Sequence, residues 1–114
     1  MTARNPISHA ILVRARQILA QPQSWTKGEA ARDAKGHATA CSASDATCFC
    51  TIGAVERARH EMDAGPAEID RALDAIRAAT NRVFISAFND DLKTKHEDVL
   101  AVLDTAISNM EPTP

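Results

Sequence analysis

The chain has 114 residues, of which 45% are hydrophobic and only 4% aromatic, and its 13 basic and 15 acidic side chains give a formal charge of −2. This length suits one domain with a single core, and the scarcity of aromatic residues means that aliphatic side chains must fill it, which favours close-packed helices. Because there is no excess of positive charge to attract a phosphate backbone, nucleic-acid binding is not expected.

The first predicted helix begins at Pro6, because Asn5 can cap free backbone N–H groups and proline suits the first helical position. Pro22 lacks the N–H that would continue the helix, so the helix should end near Ala20. Apolar residues recur at spacings of three and four between these limits and predict one buried stripe, made of Ile7, Ile11, Leu12, Ala15, Ile18 and Leu19.

Residues 24–45 lose the helical period and form an insert. One reading is a short hairpin that pairs Glu29–Asp33 with His37–Ala40, with Gly36 in the turn, and the other is an irregular segment, since alanine is a poor strand former. Trp25 at the start of the insert is expected to roof the core, with its indole N–H bonded to a carbonyl. The alternative is that Trp25 is an exposed anchor for a protein partner.

A second helix is predicted from Cys50 to about Met62, and Gly65 followed by Pro66 predicts the start of a third. Both segments carry apolar residues at helical spacing. The inward faces are predicted to be Ile52, Val55, Ala58 or Arg59, and Met62 in the second helix, and Ile69, Leu73, Ile76, and Ala79 or Thr80 in the third.

The apolar run Val83–Phe88 is compatible with a helical turn or an extended segment. Asn89–Asp91 predicts a turn, because short amides and carboxylates bond to nearby backbone N–H groups. Thr94 and Glu97 have the spacing of a capping box at the start of a final helix. The apolar face of that helix consists of Val99, Leu100, Val102, Leu103, Ala106, Ile107 and Met110.

These elements predict an all-α fold of four principal helices with a small irregular or β-hairpin insert between helices 1 and 2. Residues 1–110 form one predicted domain, and residues 111–114 a frayed tail. The amino terminus lacks the features of a secretory signal, and no segment approaches the ~18 to 20 apolar residues that span a bilayer. We therefore expect no membrane association and a cytoplasmic location with reduced thiols.

Zinc binding is the first chemistry that the cysteines suggest. Cys41, Cys48 and Cys50, with His37 or His60, could supply the nitrogen and sulfur ligands that zinc prefers, but a single Cys-x-Cys lacks the paired knuckles of common sites. Burial as small apolar side chains is the favoured interpretation, so no metal or cofactor is expected. An odd number of cysteines also argues against a disulfide framework.

A reactive thiol is the next possibility. Cys48 or Cys50, near the start of a helix, would feel the positive end of the helix dipole, which stabilises a thiolate. Pairs of neighbouring carboxylates such as Asp90 and Asp91 suggest helix capping rather than acid–base chemistry. The glycines are too far apart to form a phosphate-binding loop.

A series of short blocks resembles a known pattern. The sequence resembles a family of short uncharacterised bacterial and phage proteins in the blocks Trp25–Gly28, Ala31–Gly36, Cys48–Ala54 and Phe88–Asp90, followed by Thr94 before Val99. That family has W-x-x-G, A-R-D-x-x-G, C-x-x-G-A and W-N-D, then a threonine before a valine in a final helix. Phenylalanine replaces the usual tryptophan of the W-N-D block here. The resemblance implies a shared fold and no known activity.

The resemblance directs attention to a common surface or a buried polar cluster. Asp33 and Asn89 are expected to satisfy backbone donors of the insert, which has few hydrogen bonds of its own. The candidate set is Trp25, Arg32, Asp33, Cys50, Asn89 and Asp90.

The leading functional hypothesis is a non-catalytic accessory or protein-interaction module, with a protein partner or a second copy of the chain. The alternative is a small thiol-dependent enzyme or sensor that uses Cys50 with polar residues of the insert and the Asn89–Asp90 turn. A weaker alternative is a nucleic-acid-associated regulator that uses Arg4, Arg14 and Arg16 as a basic face.

Overall fold

A computed structural model of the chain describes residues 6–110. Within them the prediction of a helical fold with a two-stranded insert between helices 1 and 2 is confirmed, and one short helix is added. Asn5, Arg4 and the predicted tail at 111–114 lie outside the described residues. The elements are α1 (Pro6–Ile18), β1 (Ala31–Asp33), β2 (Ala46–Phe49), α2 (Thr51–Met62), α3 (Pro66–Thr80), α4 (Ile85–Asp90) and α5 (His96–Met110).

The long helices enclose an aliphatic core. Helix α1 packs against α2, α3 and α5, and α3 also packs against α5. Alanines on the buried faces, such as Ala15, Ala58, Ala72 and Ala106, leave room for the helices to approach closely. Among the larger side chains, those that fill the centre are Ile11, Leu12, Leu19, Val55, Ile76, Val99 and Leu103.

Two predicted core positions are wrong. Ile7 is 46% exposed and Met62 is 37% exposed, so neither completes the buried stripe of its helix. In the first turn of α1 the inward position is occupied by Ser8, whose hydroxyl donates to the carbonyl oxygen of Glu68 at 2.7 Å. Met62 lies in the last turn of α2, where Asp63 adopts a left-handed conformation and redirects the chain towards α3.

The strand pairing also differs from the predicted hairpin. Strand β1 pairs antiparallel with β2, with Ala31 opposite Phe49. The predicted pairing with the segment 37–40 is confirmed in part: the backbone N–H of Asp33 donates to the carbonyl of residue 37 at 2.9 Å, and that of residue 39 donates to the Ala31 carbonyl at 3.0 Å, on either side of a bridge between Arg32 and Ala38. Phe49 is 5% exposed and supplies the buried apolar side chain that the segment 37–40 lacks. Gly36, with φ of +85°, does lie in a tight turn that follows β1.

The prediction of a turn at Asn89–Asp91 is wrong for its first two residues, because Asn89 and Asp90 belong to α4. The short helix forms because Ile85, Phe88 and Asn89 share one face and are all buried. The side chain of Asn89 makes tertiary hydrogen bonds instead of closing a local turn.

The capping residues of the last helix are shifted by one position from the prediction. The Asp98 carboxylate accepts a hydrogen bond from the backbone N–H of Lys95 at 2.9 Å, so the return contact of a capping box involves this pair rather than Thr94 and Glu97. Thr94 is buried instead. Throughout residues 6–110, every helix is too short or too polar to cross a bilayer.

Candidate functional site

Asn89 lies at the centre of a buried polar cluster and is 1% exposed. Its side-chain oxygen accepts hydrogen bonds from the indole N–H of Trp25 at 2.7 Å, from the Thr51 backbone N–H at 2.9 Å and from the Thr51 hydroxyl at 2.7 Å. Its amide group donates to the Thr26 carbonyl at 3.1 Å and to Asp90 Oδ1 at 2.9 Å. One side chain therefore joins the insert, the start of α2 and α4.

Asp90 extends this cluster towards the surface. Its Oδ1 atom also accepts the backbone N–H of Gly28 at 3.0 Å, and Gly28 has a φ of +85° that favours glycine. The neighbouring Lys27 ammonium donates to the Asp91 carbonyl at 2.6 Å and lies 5.4 Å from the centre of the Trp25 ring. These contacts hold the loop that follows Trp25 against the end of α4.

Trp25 is half-buried and packs against the hydrophobic core, as a roof residue does. The carbonyl that accepts its indole N–H is the side-chain amide of Asn89, not a backbone group. Its ring centre lies 6.2 Å from that of His96, whose Nε2 is 2.6 Å from the carbonyl oxygen of Leu19. The insert is thereby connected to the start of α5 and the end of α1.

Arg32 and Asp33 organise the insert itself. The Arg32 guanidinium donates to the Thr26 hydroxyl at 3.0 Å and to the carbonyl oxygens of Lys27 at 3.0 Å and Gly36 at 3.1 Å. Asp33 Oδ1 accepts the backbone N–H groups of residues 35 and 37, each at 2.9 Å. These backbone hydrogen bonds, with that from residue 37 the strongest cause, lower the pKa of Asp33.

Cys50 caps the start of α2. Its Sγ accepts the backbone N–H of Gly53 at 3.2 Å, while its own backbone N–H donates to the Ala30 carbonyl at 3.0 Å. A Cβ on Gly53 would lie only 1.9 Å from the Ala30 oxygen, so the insert backbone rests directly on this turn of helix. Burial raises the pKa of the Cys50 thiol and outweighs the backbone N–H groups that favour thiolate. At Cys50 the expected thiolate stabilisation is therefore wrong in direction.

A surface pocket of about 250 Å³ opens beside this cluster. Among the candidate residues, Cys50, Asn89 and Asp90 contribute to its lining, whereas Trp25, Arg32 and Asp33 do not. The sequence did not indicate Thr51, which is buried and whose hydroxyl donates to Asn89, or Ser86, which lines the pocket. Neither residue belongs to a sequence pattern that marks a site. The pocket is lined by Gly28, Glu29, Ala30, Cys50, Ile52, Ser86, Asn89 and Asp90.

The residues considered for zinc do not come together. Within residues 6–110 no group of three or more His, Cys, Asp or Glu side chains is placed to hold a metal ion, so Cys41, Cys48, Cys50 and His37 form no such group. All three cysteines are free thiols. Cys41 lines a separate pocket of about 270 Å³ with Ser42, Glu56, Arg59 and His60.

Two arginines of the predicted basic face, Arg14 and Arg16, form ion pairs with neighbouring helices, and the third, Arg4, lies outside the described residues. Arg14 Nε lies 2.7 Å from Glu61 Oε1 at the end of α2, and Arg16 Nε lies 2.9 Å from Asp104 Oδ1 on α5. Both arginines therefore connect helices instead of presenting free positive charge to a phosphate backbone.

Comparison with known proteins gives one family. No curated protein and no solved structure gives a significant match to the chain. The sequence profile of DUF6197, described as a family of unknown function, matches residues 4–109. This span includes the buried polar cluster, the pocket and all the helices except the last residue of α5. The chain therefore belongs to the DUF6197 family, whose function is unknown.

Proposed function

We propose that the protein is a non-catalytic protein-interaction module that binds its partner on a surface around α4. The observation that carries the proposal is the exposure of three large apolar side chains: Val83 is 74% exposed, Phe84 is 70% exposed and Leu92 is 97% exposed. Single exposed apolar residues are ordinary, but several in one segment are typical of interaction sites. We call Val83, Phe84 and Leu92 the α4 surface.

The two ends of this segment are held together. Arg82 precedes Val83, Asp91 precedes Leu92, and the Arg82 guanidinium lies 3.1 Å from Asp91 Oδ2. The inward side of α4 is fixed by Ile85, Phe88 and Asn89. A rigid backbone beneath exposed apolar side chains supports binding, because little conformational entropy is lost when the partner docks. We also propose a cytoplasmic location, a compartment in which thiols such as these three stay reduced.

Site-specific photo-crosslinking tests this proposal. A photoreactive residue at position 84 or 92 of the full chain should crosslink to a specific protein in the native cell, whereas the same residue at position 101, exposed on α5, should not. Crosslinking from position 92 should be lost when Phe84→Ser is added. Equal crosslinking from positions 84, 92 and 101, or none from any, would contradict the proposal. The mass of the crosslinked product tells whether the partner is a second copy of the chain.

The thiol-dependent alternative has one observation in its favour and one against it. Cys50, Asn89 and Asp90 do line the same pocket. However, the raised pKa of Cys50 reduces the thiolate fraction at neutral pH, and thiolate is the reactive form. Alkylation of Cys50 faster than that of free cysteine at pH 7 would favour the enzyme or sensor over the interaction module.

A further inference from the structure

The pocket between the insert and α4 has a distinctive chemical lining. None of its lining residues is basic, and two of them, Glu29 and Asp90, are acidic. The lining also includes the apolar residues Ala30 and Ile52 and the hydroxyl-bearing residue Ser86. A mixed cavity of this kind is suited to a ligand with an apolar body and a polar head.

The side-chain N–H groups of the lining are already used inside the protein. Both donor contacts of the Asn89 amide go to the Thr26 carbonyl and to Asp90 Oδ1. By contrast, Asp90 Oδ2 and the Glu29 carboxylate make no hydrogen bond or ion pair with any of residues 6–110. The pocket therefore offers acceptors and two negative charges, and the neutral hydroxyl of Ser86 cannot offset two carboxylates for an anion.

The nearby cations Lys27 and Arg32 form no ion pair with these carboxylates. The Lys27 ammonium is bonded to the Asp91 carbonyl, and the Arg32 guanidinium donates to three oxygens within the insert. Asp90 is also held in one orientation, because its Oδ1 accepts the N–H of Gly28 as well as that of Asn89. A fixed carboxylate needs little reorganisation to receive a positive group.

We propose that this pocket binds the ammonium head of a linear alkylamine, with Asp90 and Glu29 as the counter-charges and Ile52 packed against the methylene chain. An ammonium group has three donors and no acceptor, which complements the lining. A volume of about 250 Å³ holds roughly eight water-sized groups, enough for a four- or five-carbon amine. The same chemistry is offered by a free amine and by a lysine side chain.

Ligand titration followed by NMR tests this inference on the full chain. Adding 1,4-diaminobutane should shift the amide signals of Gly28, Glu29 and Asp90 in a saturable manner, whereas butanol and butyrate should not. Glu29→Gln and Asp90→Asn should each weaken binding about tenfold, and raising the ionic strength should weaken it further. The control Asp70→Asn changes an exposed acid on α3, away from the pocket, and should leave the affinity unchanged.

A blocked tripeptide with a central lysine distinguishes the two sources of the ammonium group. Tighter binding of the peptide than of the diamine assigns the pocket to a side chain of a protein partner, and the reverse order assigns it to a free amine. Absence of saturable shifts with both probes, or equal binding of butyrate, overturns the inference. Because Phe84→Ser alters the α4 surface and not the pocket lining, it should preserve amine binding even where crosslinking is lost.

Discussion

Asn89 is the residue on which the contacts between the insert and the helices converge. Its side-chain oxygen accepts hydrogen bonds from Trp25 and Thr51, and its NH₂ group donates hydrogen bonds to Thr26 and Asp90. Both the oxygen and the nitrogen of the amide are therefore hydrogen-bonded. A buried amide of this kind is stabilising only while all its partners remain, because each orphaned polar group costs about 1–3 kcal/mol. Asn89 accordingly joins the insert, α2 and α4, and it positions the pocket wall that Asp90 extends.

Replacing Asn89 should therefore destabilise the protein. We expect Asn89→Ala to lower the free energy of unfolding by about 3 kcal/mol, since it orphans the Trp25 indole and the Thr51 backbone N–H. Asn89→Asp should also destabilise, because it places a second carboxylate oxygen against Asp90. Urea unfolding measures the free energy of unfolding of both variants. The matched control is Asn109→Ala, which removes an amide on the exposed side of α5. A change below 1 kcal/mol in Asn89→Ala would contradict this role.

At the scale of elements, the insert and α2 are assembled as one unit. The backbone of Ala30 receives the N–H of Cys50 and lies against Gly53, so the first turn of α2 depends on the loop before it. Strand β2 leads into this turn through Phe49, whose carbonyl accepts the N–H of Thr26. The insert thus contributes to the core and is not an appendage of the helices.

The close approach at Gly53 predicts an unusual mutational effect. Alanine is favoured over glycine within a helix by about 1 kcal/mol, but a Cβ at this position would lie 1.9 Å from a backbone oxygen that has no flexible end to move. We expect Gly53→Ala to lower the free energy of unfolding by about 2–3 kcal/mol in thermal or urea unfolding.

Gly65→Ala is the matched control, because Gly65 also lies at a helix start but its nearest atom belongs to the flexible side chain of Glu68. Its effect should stay within about 1 kcal/mol. Equal effects of the two substitutions would show that the contact between Gly53 and Ala30 does not limit this site.

For the whole molecule, ion pairs and carboxylate hydrogen bonds connect elements that are far apart in sequence. Glu61 at the end of α2 receives hydrogen bonds from Arg14 of α1 and Arg57 of α2, and the Arg14 contact is the largest cause that lowers the pKa of Glu61. Backbone N–H groups lower the pKa values of Asp33 and Asp91 in the same direction, with Arg82 also contributing to Asp91.

These shifts predict loss of stability in acid. Because the folded pKa values lie below the unfolded ones, the stabilisation is present above about pH 4 to 5 and is lost as pH falls through the folded pKa values. The melting temperature should decline below about pH 5, and less steeply in Glu61→Gln than in wild type. Asp70→Asn serves as the control. A melting temperature independent of pH, or equal slopes in Glu61→Gln and wild type, would contradict this assignment.

The sequence by itself determined the four long helices and most of their buried faces, because periodicity at three and four residues directly reports which side of a helix can leave water. It also singled out Asn89, Asp90 and Cys50. Only the tertiary structure decided that β1 pairs with β2, that Asn89 lies in a helix and that Cys50 opens into a pocket. These depend on hydrogen bonds and packing between residues distant in the chain, which local spacing does not encode.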